Sequence, residues 1–161
     1  MVAVSSSYRA AAQGGPYPPA MNHSSNGDMT PQQVMATYRD EIQAASEKSG
    51  VPPELIAAMI WQESKGRPFT PGGGLMQLGP NEFWNFGGGD INHPADNIMA
   101  GAMYMKELLG QFGGNAALAL RGYNSGPYGV DLHNPDATPV GTGDPTYVAK
   151  VMMVARSLGL A

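Results

Sequence analysis

The chain has 161 residues, enough for one domain with a sizeable core. Charged residues make up only 14%, while 22 glycines and 14 prolines predict long loops and a weakly charged surface. The net charge of −4 and the lack of a lysine or arginine run argue against nucleic-acid binding, so a nearly neutral polymer is the better expected partner.

Residues 1–28 contain few large apolar side chains and are rich in Ser, Gly, Ala, Pro and Asn. Such a composition does not bury enough surface to offset the entropy lost on ordering. The sequence therefore predicts a disordered N-terminal tail, followed by one domain over residues 29–161.

The first predicted helix begins at Thr30, with Pro31 at its first position and Gln33 as the partner in a capping box. It is expected to run to about Lys48 and to stop at Gly50. Its inner face consists of Val34, Tyr38, Ile42 and Ala45.

The second predicted helix opens at Pro52 and Pro53 and closes before Gly66. Its buried face consists of Leu55, Ile56, Met59 and Ile60. Glu63 falls on the same face in the last turn, where desolvation and the negative end of the helix dipole both favour a protonated carboxyl group. Two alternatives remain: the helix ends before Glu63, or Glu63 pairs with Lys65 or Arg67.

Residues 66–93 are glycine-rich and are predicted to be irregular. They include three aromatic residues, Phe83, Trp84 and Phe86. The favoured interpretation is a small cluster that pins a long loop to the core. The alternative is direct stacking on a ligand.

Three further helices are predicted. One runs from about Ala95 to Gly113, and a short one capped by Asn115 reaches about Tyr123. After an irregular stretch at 125–143, Asp144 and Pro145 start the last helix. The apolar face of the first of these helices consists of Ile98, Ala102, Met105, Leu109 and Phe112. The apolar face of the last helix consists of Tyr147, Val151, Val154 and Leu158. No segment alternates like a strand, so the predicted class is mostly α, a single domain with two long loops.

Several kinds of site and segment are not expected. The chain has no cysteine, and its histidines, His23, His93 and His133, lack the spacing of a helical metal pair, so neither a metal nor another cofactor is predicted. No apolar stretch approaches the ~20 residues of a membrane-spanning helix. The first residues lack the features of a secretory signal, so another device is expected to deliver the protein if it acts outside the cytoplasm.

Four short motifs occur in order: Glu63-Ser64, Gly74-Leu75-Met76-Gln77-Leu78, Gly122-Tyr123-Asn124-Ser125-Gly126-Pro127 and Tyr147-Val148. Together they resemble the SLT-type lytic transglycosylases, whose lysozyme-like domain cleaves bacterial peptidoglycan. The segment around Asp96-Asn97-Ile98 also resembles the family. The resemblance implies a lysozyme-like fold and peptidoglycan glycan strands as partner.

The resemblance further implies roles for three residues near the reacting bond. Glu63 would be the only catalytic acid and base, Ser64 would orient Glu63 or the sugar, and the Tyr147 hydroxyl would bond the catalytic carboxylate. A structural alternative for Tyr147 is that it is one more member of the apolar face of its helix.

Four more residues are implied to bind substrate. Met76 and Gln77 would line the cleft, and Tyr123 and Asn124 would contact the N-acetyl sugars. The structural alternatives are that Met76 and Tyr123 belong to the core, that Asn124 is a helix C-cap and that Gln77 is a solvated loop residue.

Glycosidic cleavage needs an acid that still holds its proton, whereas a free glutamate has a pKa near ~4.3. Burial of Glu63 is expected to raise its pKa, the device the acidic glutamate of lysozyme uses. The resemblance implies that no second carboxylate is needed. The substrate's own acetamido group would stabilise the charge at the anomeric carbon. The muramic acid 6-hydroxyl would then attack that carbon and leave a 1,6-anhydro end.

Two rival functions stay open. One is a hydrolytic muramidase on the same fold, with Glu82 or Asp90 as partner; the other is a non-catalytic glycan-binding part of an envelope-crossing machine. The missing signal and the tail favour an enzyme that opens the wall locally and is carried to the periplasm or cell wall by a phage particle or secretion system.

Overall fold

The computed structural model of the chain describes residues 27–161, except the side chain of Val140. The predicted tail at 1–28 lies outside the described residues apart from its last two. Within the described part, seven α-helices and two short 3-10 helices form, and no strand is found. The predicted mostly helical class is therefore confirmed.

The α-helices are α1 (Pro31–Thr37), α2 (Arg39–Ser49), α3 (Pro53–Ser64), α4 (Pro80–Asn85), α5 (Pro94–Gln111), α6 (Ala116–Ser125) and α7 (Tyr147–Ser157). The 3-10 helices are Gly74–Met76 and Pro139–Gly141. Among the described residues, no helix is both long enough and apolar enough to span a bilayer.

The predicted first helix is two helices. Its capping box is present, since the Thr30 hydroxyl accepts from the Gln33 amide (3.1 Å) and the Gln33 side chain accepts from the Thr30 amide (2.8 Å). The prediction of one continuous helix is wrong, because Tyr38 leaves helical geometry at φ −106° and ψ 28°. The buried hydroxyl of Tyr38 donates to the Gly66 carbonyl (2.7 Å), a long-range bond that local sequence signals do not encode.

Residues 66–93 are more regular than predicted. They contain α4 and the 3-10 helix Gly74–Met76. Pro80 at the first position and Glu82 in the first turn of α4 are helix-start signals that the surrounding glycines obscured. Helix α7 begins at Tyr147, two residues after the predicted first position Pro145, because the Asp144 carboxylate accepts from the amide (2.8 Å) and hydroxyl (2.6 Å) of Thr146 and forms a turn first.

Helix α3 lies at the centre of the fold. Residues 55–60 are all buried, as expected of a helix that is apolar on every side. It packs against α1, α7 and the 3-10 helix Gly74–Met76, while α5 packs against α2, α4 and α6. The last turn of α3, which carries Glu63, is thereby fixed by packing from several directions.

The three aromatic residues of α4 and its C-terminal end have different environments. Phe83 is buried, and Phe86 packs against Tyr104 with ring centroids 5.2 Å apart, so these two pin the segment to the core as favoured from sequence. Trp84 is 68% exposed and does not fit that interpretation.

Candidate active site

Glu63 lies one residue before the end of α3, so the alternative in which the helix ends before it is wrong. Lys65 adopts the left-handed conformation (φ 54°), and its amide donates to the Trp61 carbonyl at 3.0 Å. The buried Ser64 hydroxyl donates to the Ile60 carbonyl (3.1 Å) and accepts from the Gly66 amide (3.2 Å). Ser64 thus shapes the sharp turn that follows Glu63.

Glu63 is half-buried and accepts a hydrogen bond from Tyr147. The Tyr147 hydroxyl donates to Oε2 of Glu63 at 2.9 Å, and Tyr147 itself is buried. Burial raises the pKa of Tyr147 well above its ordinary value, and the negative charge of Glu63 raises it further. The phenol therefore keeps its proton and remains a donor to the carboxylate.

The two cations suggested as ion-pair partners of Glu63 have contacts of their own. The Lys65 ammonium lies 3.1 Å from the centre of the Trp61 ring, and burial lowers its pKa. Arg67 pairs with Asp28 at 3.2 Å. Glu63 itself accepts its hydrogen bond from Tyr147.

Gln77 is a buried connector rather than a solvated loop residue. It has a left-handed backbone (φ 50°), and its side-chain nitrogen donates to the carbonyls of Thr70 (3.4 Å), Pro71 (3.1 Å) and Gly74 (3.0 Å). All three partners are acceptors, so the amide nitrogen must face them. Gln77 therefore ties the loop that follows Glu63 to the 3-10 helix.

Met76 and Tyr123 both lie in the core, the structural alternative left open by the sequence. Both are fully buried, and the Tyr123 hydroxyl donates to the Met76 carbonyl at 2.7 Å. The Met76 thioether packs against Gly101, where an added Cβ would collide with it. Neither side chain presents surface to a sugar in this structure.

Asn97 holds the glycine-rich loop in shape, a role that the sequence did not reveal. It is fully buried, accepts from the Met76 amide (2.8 Å), and donates to the carbonyls of Gly73 (2.8 Å) and Ile91 (2.9 Å). One amide group thus satisfies three backbone groups of the glycine-rich loop. In the sequence, Asn97 is recognisable only as a polar residue next to Ile98, which belongs to the apolar face of α5.

Arg121 was also missed, although it is a charged residue inside an Ala/Leu helix. Its fully buried guanidinium donates to the carbonyls of Pro135 (2.6 Å) and Asp144 (2.8 Å), to Oδ1 of Asn124 (3.1 Å) and to the Ser125 hydroxyl (3.0 Å). Burial lowers its pKa, against the opposing charges of Asp136 and Asp144. Arg121 anchors the second irregular stretch to α6.

Asn124 works with Arg121 rather than as a helix C-cap, because α6 continues to Ser125 and Gly126 occupies the cap. Its buried Oδ1 accepts from the Asp144 amide at 2.7 Å. The Asp144 carbonyl in turn accepts from the Tyr147 amide at 3.0 Å. A chain of contacts therefore links the tyrosine-asparagine motif to the start of α7 and to the tyrosine that binds Glu63.

Gly122 lies at a close contact between helices. A Cβ there would lie 3.1 Å from the Phe112 ring and 3.4 Å from the Leu108 side chain, so α6 packs tightly against the end of α5.

A cavity of about 320 Å³ opens beside the same motif. Its lining includes Pro127 and Tyr128, which follow the motif directly, and Tyr104, whose ring centroid lies 5.3 Å from that of Tyr123. Phe86 and Leu108 add apolar surface, and the rest of the wall consists of carboxamides and carboxylates: Asn81, Glu82, Asn85, Glu107 and Gln111. Such a lining combines apolar surface with hydrogen-bonding groups, as ligand sites do.

Among the described residues, no group of three His, Cys, Asp or Glu side chains is placed to hold a metal ion. The predicted lack of a metal or other cofactor stays a prediction.

Two known proteins are similar to this chain. The chain is 35% identical over 91 residues to a transglycosylase of Enterobacteria phage PRD1, covering 54% of this chain and 34% of the phage protein. Its fold is similar to that of the lytic transglycosylase Slt from Pseudomonas aeruginosa, solved as an inactive glutamate-to-glutamine mutant, with a TM-score of 0.63 and 26% identity. That match covers 78% of this chain and 24% of the other, so the chain spans a small part of each relative.

The family model described as "Transglycosylase SLT domain" matches residues 40–134, more than half of the chain. The matched range includes Glu63, the loop tied by Gln77 and Asn97, and the motif held by Arg121. By this match the chain belongs to the transglycosylase SLT domain family.

Proposed function

We propose that the chain is a peptidoglycan lytic transglycosylase that cleaves the β-1,4 bond between N-acetylmuramic acid and N-acetylglucosamine. The observation that carries the proposal is the hydrogen bond from the Tyr147 hydroxyl to Glu63 at the end of the buried helix α3. Glu63 lies inside the region matched by the family, residues 40–134, and Tyr147 follows it. The Pseudomonas relative, inactive as a glutamate-to-glutamine mutant, supports a glutamate as the essential group.

In the proposed reaction Glu63 first acts as an acid. Its proton passes to the glycosidic oxygen, which leaves with the N-acetylglucosamine end as the bond to the anomeric carbon breaks. The substrate's own acetamido group stabilises the charge that develops at that carbon. The Tyr147 hydroxyl stabilises the carboxylate of Glu63 that remains, because a hydrogen bond to an ionised acceptor is stronger than one to a neutral acceptor.

Glu63 then acts as a base. It takes the proton of the muramic acid 6-hydroxyl, whose oxygen forms a bond to the anomeric carbon and closes the 1,6-anhydro ring. Glu63 ends protonated, as it began, and no water is consumed. The attacking group is part of the same sugar, so the step has the high effective concentration of an intramolecular reaction.

We propose that the other motif residues act mainly by holding the groove in shape. These residues, which are all buried, bond or belong to three backbone segments: the end of α3, the 3-10 helix Gly74–Met76 and the turn before α7. They are Ser64, Met76, Gln77, Tyr123 and Asn124. Met76 and Tyr123 expose no surface to a sugar, and Ser64, Gln77 and Asn124 expose almost none. The cavity next to Pro127 and Tyr128 is the proposed continuation of the glycan path.

The proposed place of action is the periplasm or cell wall, with the enzyme delivered by a phage particle or a secretion machine to open the wall locally. The phage origin of the PRD1 relative supports the first of these. The predicted tail at 1–28 would tether the domain at 29–161 to its carrier. Native protein found free in the cytosol, attached to no assembly, would contradict this part.

Mass spectrometry of digested sacculi tests the reaction type. Soluble fragments ending in 1,6-anhydromuramic acid are the expected products. Fragments heavier by one water would instead identify a hydrolytic muramidase, with Glu82 or Asp90 as the candidates for its second carboxylate. Fragments of neither kind would favour a non-catalytic glycan-binding role.

A further inference from the structure

Trp84 is the most exposed of the large hydrophobic side chains described, at 68%. Its ring is nevertheless held in place. Phe83 meets it edge-on with centroids 5.7 Å apart, and Gly88 lies so close that an added Cβ would be 2.6 Å from Cε3 of the indole. Gly88 also has a φ of +72°, a backbone conformation that suits glycine. One surface of the indole is thus fixed by the protein while the rest faces solvent.

The loop beside Trp84 is held as firmly. The Gly88 amide donates to the Phe83 carbonyl (2.8 Å), and the Asp90 amide donates to the Asp96 carboxylate (3.0 Å). The Ile91 carbonyl accepts from the buried Asn97 side chain (2.9 Å). These bonds fix the backbone on both sides of residue 90, so the surface next to the indole is formed before any ligand arrives.

A cavity of about 290 Å³ opens between the indole and this loop, lined by Phe83, Trp84, Gly89, Asp90, Ile91 and Asn92. Asp90 and Asn92 bring hydrogen-bonding groups to its rim, and Oδ1 of Asp90 already accepts from the Asn92 amide (2.9 Å). None of the lining residues belongs to the four motifs, and none lines the 320 Å³ cavity beside Tyr128.

An exposed aromatic ring beside an acid and an amide has the chemistry of a saccharide site. The C–H face of a pyranose packs on an aromatic ring, while its hydroxyl and acetamido groups bond to side chains at the rim. Asp90 disfavours an anionic ligand, and no cation lines the cavity to offset it. A protein partner would need roughly 800 Å² of contact surface, far more than one indole and a small cavity.

We propose that Trp84 and this cavity form an accessory binding site for a neutral N-acetylhexosamine ring of the glycan strand. The identity of the polymer rests on the proposed function, but the site itself does not depend on catalysis. A second point of attachment would hold the enzyme on an insoluble strand and raise the effective concentration of glycan at Glu63.

The test uses a Glu63→Gln protein, which binds without digesting its ligand, and soluble chitotetraose as the probe. The chain has two tryptophans, and Trp61, whose indole N–H is bonded to the Met29 carbonyl (2.9 Å), lies two residues before Glu63 and reports on that end of α3. In ¹⁵N-labelled protein the Trp84 indole resonance is expected to shift on titration, whether or not that of Trp61 moves. An unmoved Trp84 resonance at saturating probe would overturn the proposal.

A second arm measures cosedimentation with purified sacculi in the Glu63→Gln background. Trp84→Ala is expected to weaken binding about tenfold, the size typical of an aromatic anchor, and Trp84→Phe to weaken it less. The matched control is Met153→Ala, because Met153 is 66% exposed but lies on α7. Equal losses for Trp84→Ala and Met153→Ala, with both proteins folded by circular dichroism, would contradict the proposal.

The two proposals fail separately. If wild-type protein releases anhydro fragments while Trp84→Ala binds sacculi normally, the accessory site is wrong and the proposed function stands. If the Trp84 resonance shifts but wild-type protein releases no fragments, the site stands and the catalytic proposal is wrong.

Discussion

The hydroxyl of Tyr147 donates to Oε2 of Glu63 at 2.9 Å, although the two residues are 84 positions apart. Tyr147→Phe removes this donor and keeps the ring. A hydrogen bond to a charged group contributes about 1.5–3 kcal/mol, so kcat on sacculi is expected to fall at least about tenfold. The Michaelis constant should change little, because the hydroxyl faces Glu63 rather than a sugar.

Steady-state release of soluble fragments measures both constants for Tyr147→Phe. Tyr38→Phe is the matched control, since Tyr38 also has a buried hydroxyl but bonds the Gly66 carbonyl instead of the acid. An unchanged kcat for Tyr147→Phe, or an equal loss in both variants, would show that the bond to Glu63 has no part in catalysis.

Arg121 is expected to be essential for stability. Arg121→Met removes the donor to the half-buried carbonyls of Pro135 and Asp144 and to the buried side chains of Asn124 and Ser125. A buried polar group that loses its partner costs about 1–3 kcal/mol, and less where water reaches it. The free energy of unfolding in urea should therefore drop by about 3 kcal/mol or more. Arg156→Met, which removes an exposed cation from α7, should change it by less than about 0.5 kcal/mol.

If Arg121→Met were as stable as Arg156→Met, the network at the second irregular stretch would not hold the fold. Arg121→Lys offers an intermediate test. Lysine keeps the charge but lacks the planar set of donors, so it should recover only part of the lost stability.

Gly74 is predicted to tolerate no side chain. Its φ is +70°, and a Cβ would lie 2.5 Å from the Ile91 carbonyl oxygen and 2.6 Å from the Asn97 amide nitrogen. Gly74→Ala should therefore destabilise the protein by more than about 2 kcal/mol, through backbone strain together with displacement of Asn97.

The control is Gly110→Ala, because Gly110 lies in α5 with open space around its Cα. That change should stabilise the protein by about 0.5–1 kcal/mol through helix propensity. Thermal unfolding of both variants measures the difference. Equal melting temperatures would contradict the close packing of the loop before Met76.

Acid stability should depend on Asp144. Burial raises the pKa of Asp144, but hydrogen bonds from Thr146 and the nearby Lys150 ammonium outweigh it, and the net pKa lies below its ordinary value. A carboxyl group whose pKa is lowered in the folded state stabilises the protein at every pH above its pKa in the unfolded state, about 3.9. This contribution is lost as the pH falls through the pKa of the folded state.

Urea unfolding between pH 7 and pH 2 measures this contribution. Wild-type protein should be more stable than Asp144→Asn at pH 7, and the two should converge below about pH 4. A difference that stays constant down to pH 2 would mean that the charge of Asp144 is not responsible.

The helices with strong local signals could be predicted from sequence. The capping box at Thr30, the cap at Asn115 and the apolar faces of α3, α5 and α7 all depend on residues a few positions apart. Helix α4 was missed because its signals lie among glycines. The break at Tyr38 has no glycine or proline signal in the sequence, and the long-range contact found there is a bond to Gly66, 28 positions away.

In the candidate site, too, local signals could be predicted from the sequence and long-range contacts could not. The position of Glu63 on the buried face of α3 follows from helical spacing, and the family resemblance pointed to Tyr147. The buried positions of Met76 and Tyr123, and the networks of Asn97 and Arg121, depend on contacts between elements distant in sequence. Local patterns show that such residues are polar or apolar but do not show which groups they will meet.

The most direct test of the account is the release of soluble glycan fragments from purified sacculi by Glu63→Gln, compared with Glu54→Gln on the first turn of the same helix. General acid–base catalysis by Glu63 predicts at least a ~100-fold loss of rate for Glu63→Gln and nearly normal release by Glu54→Gln. Fragment release by a folded Glu63→Gln protein at the wild-type rate would show that this carboxyl group is not the acid.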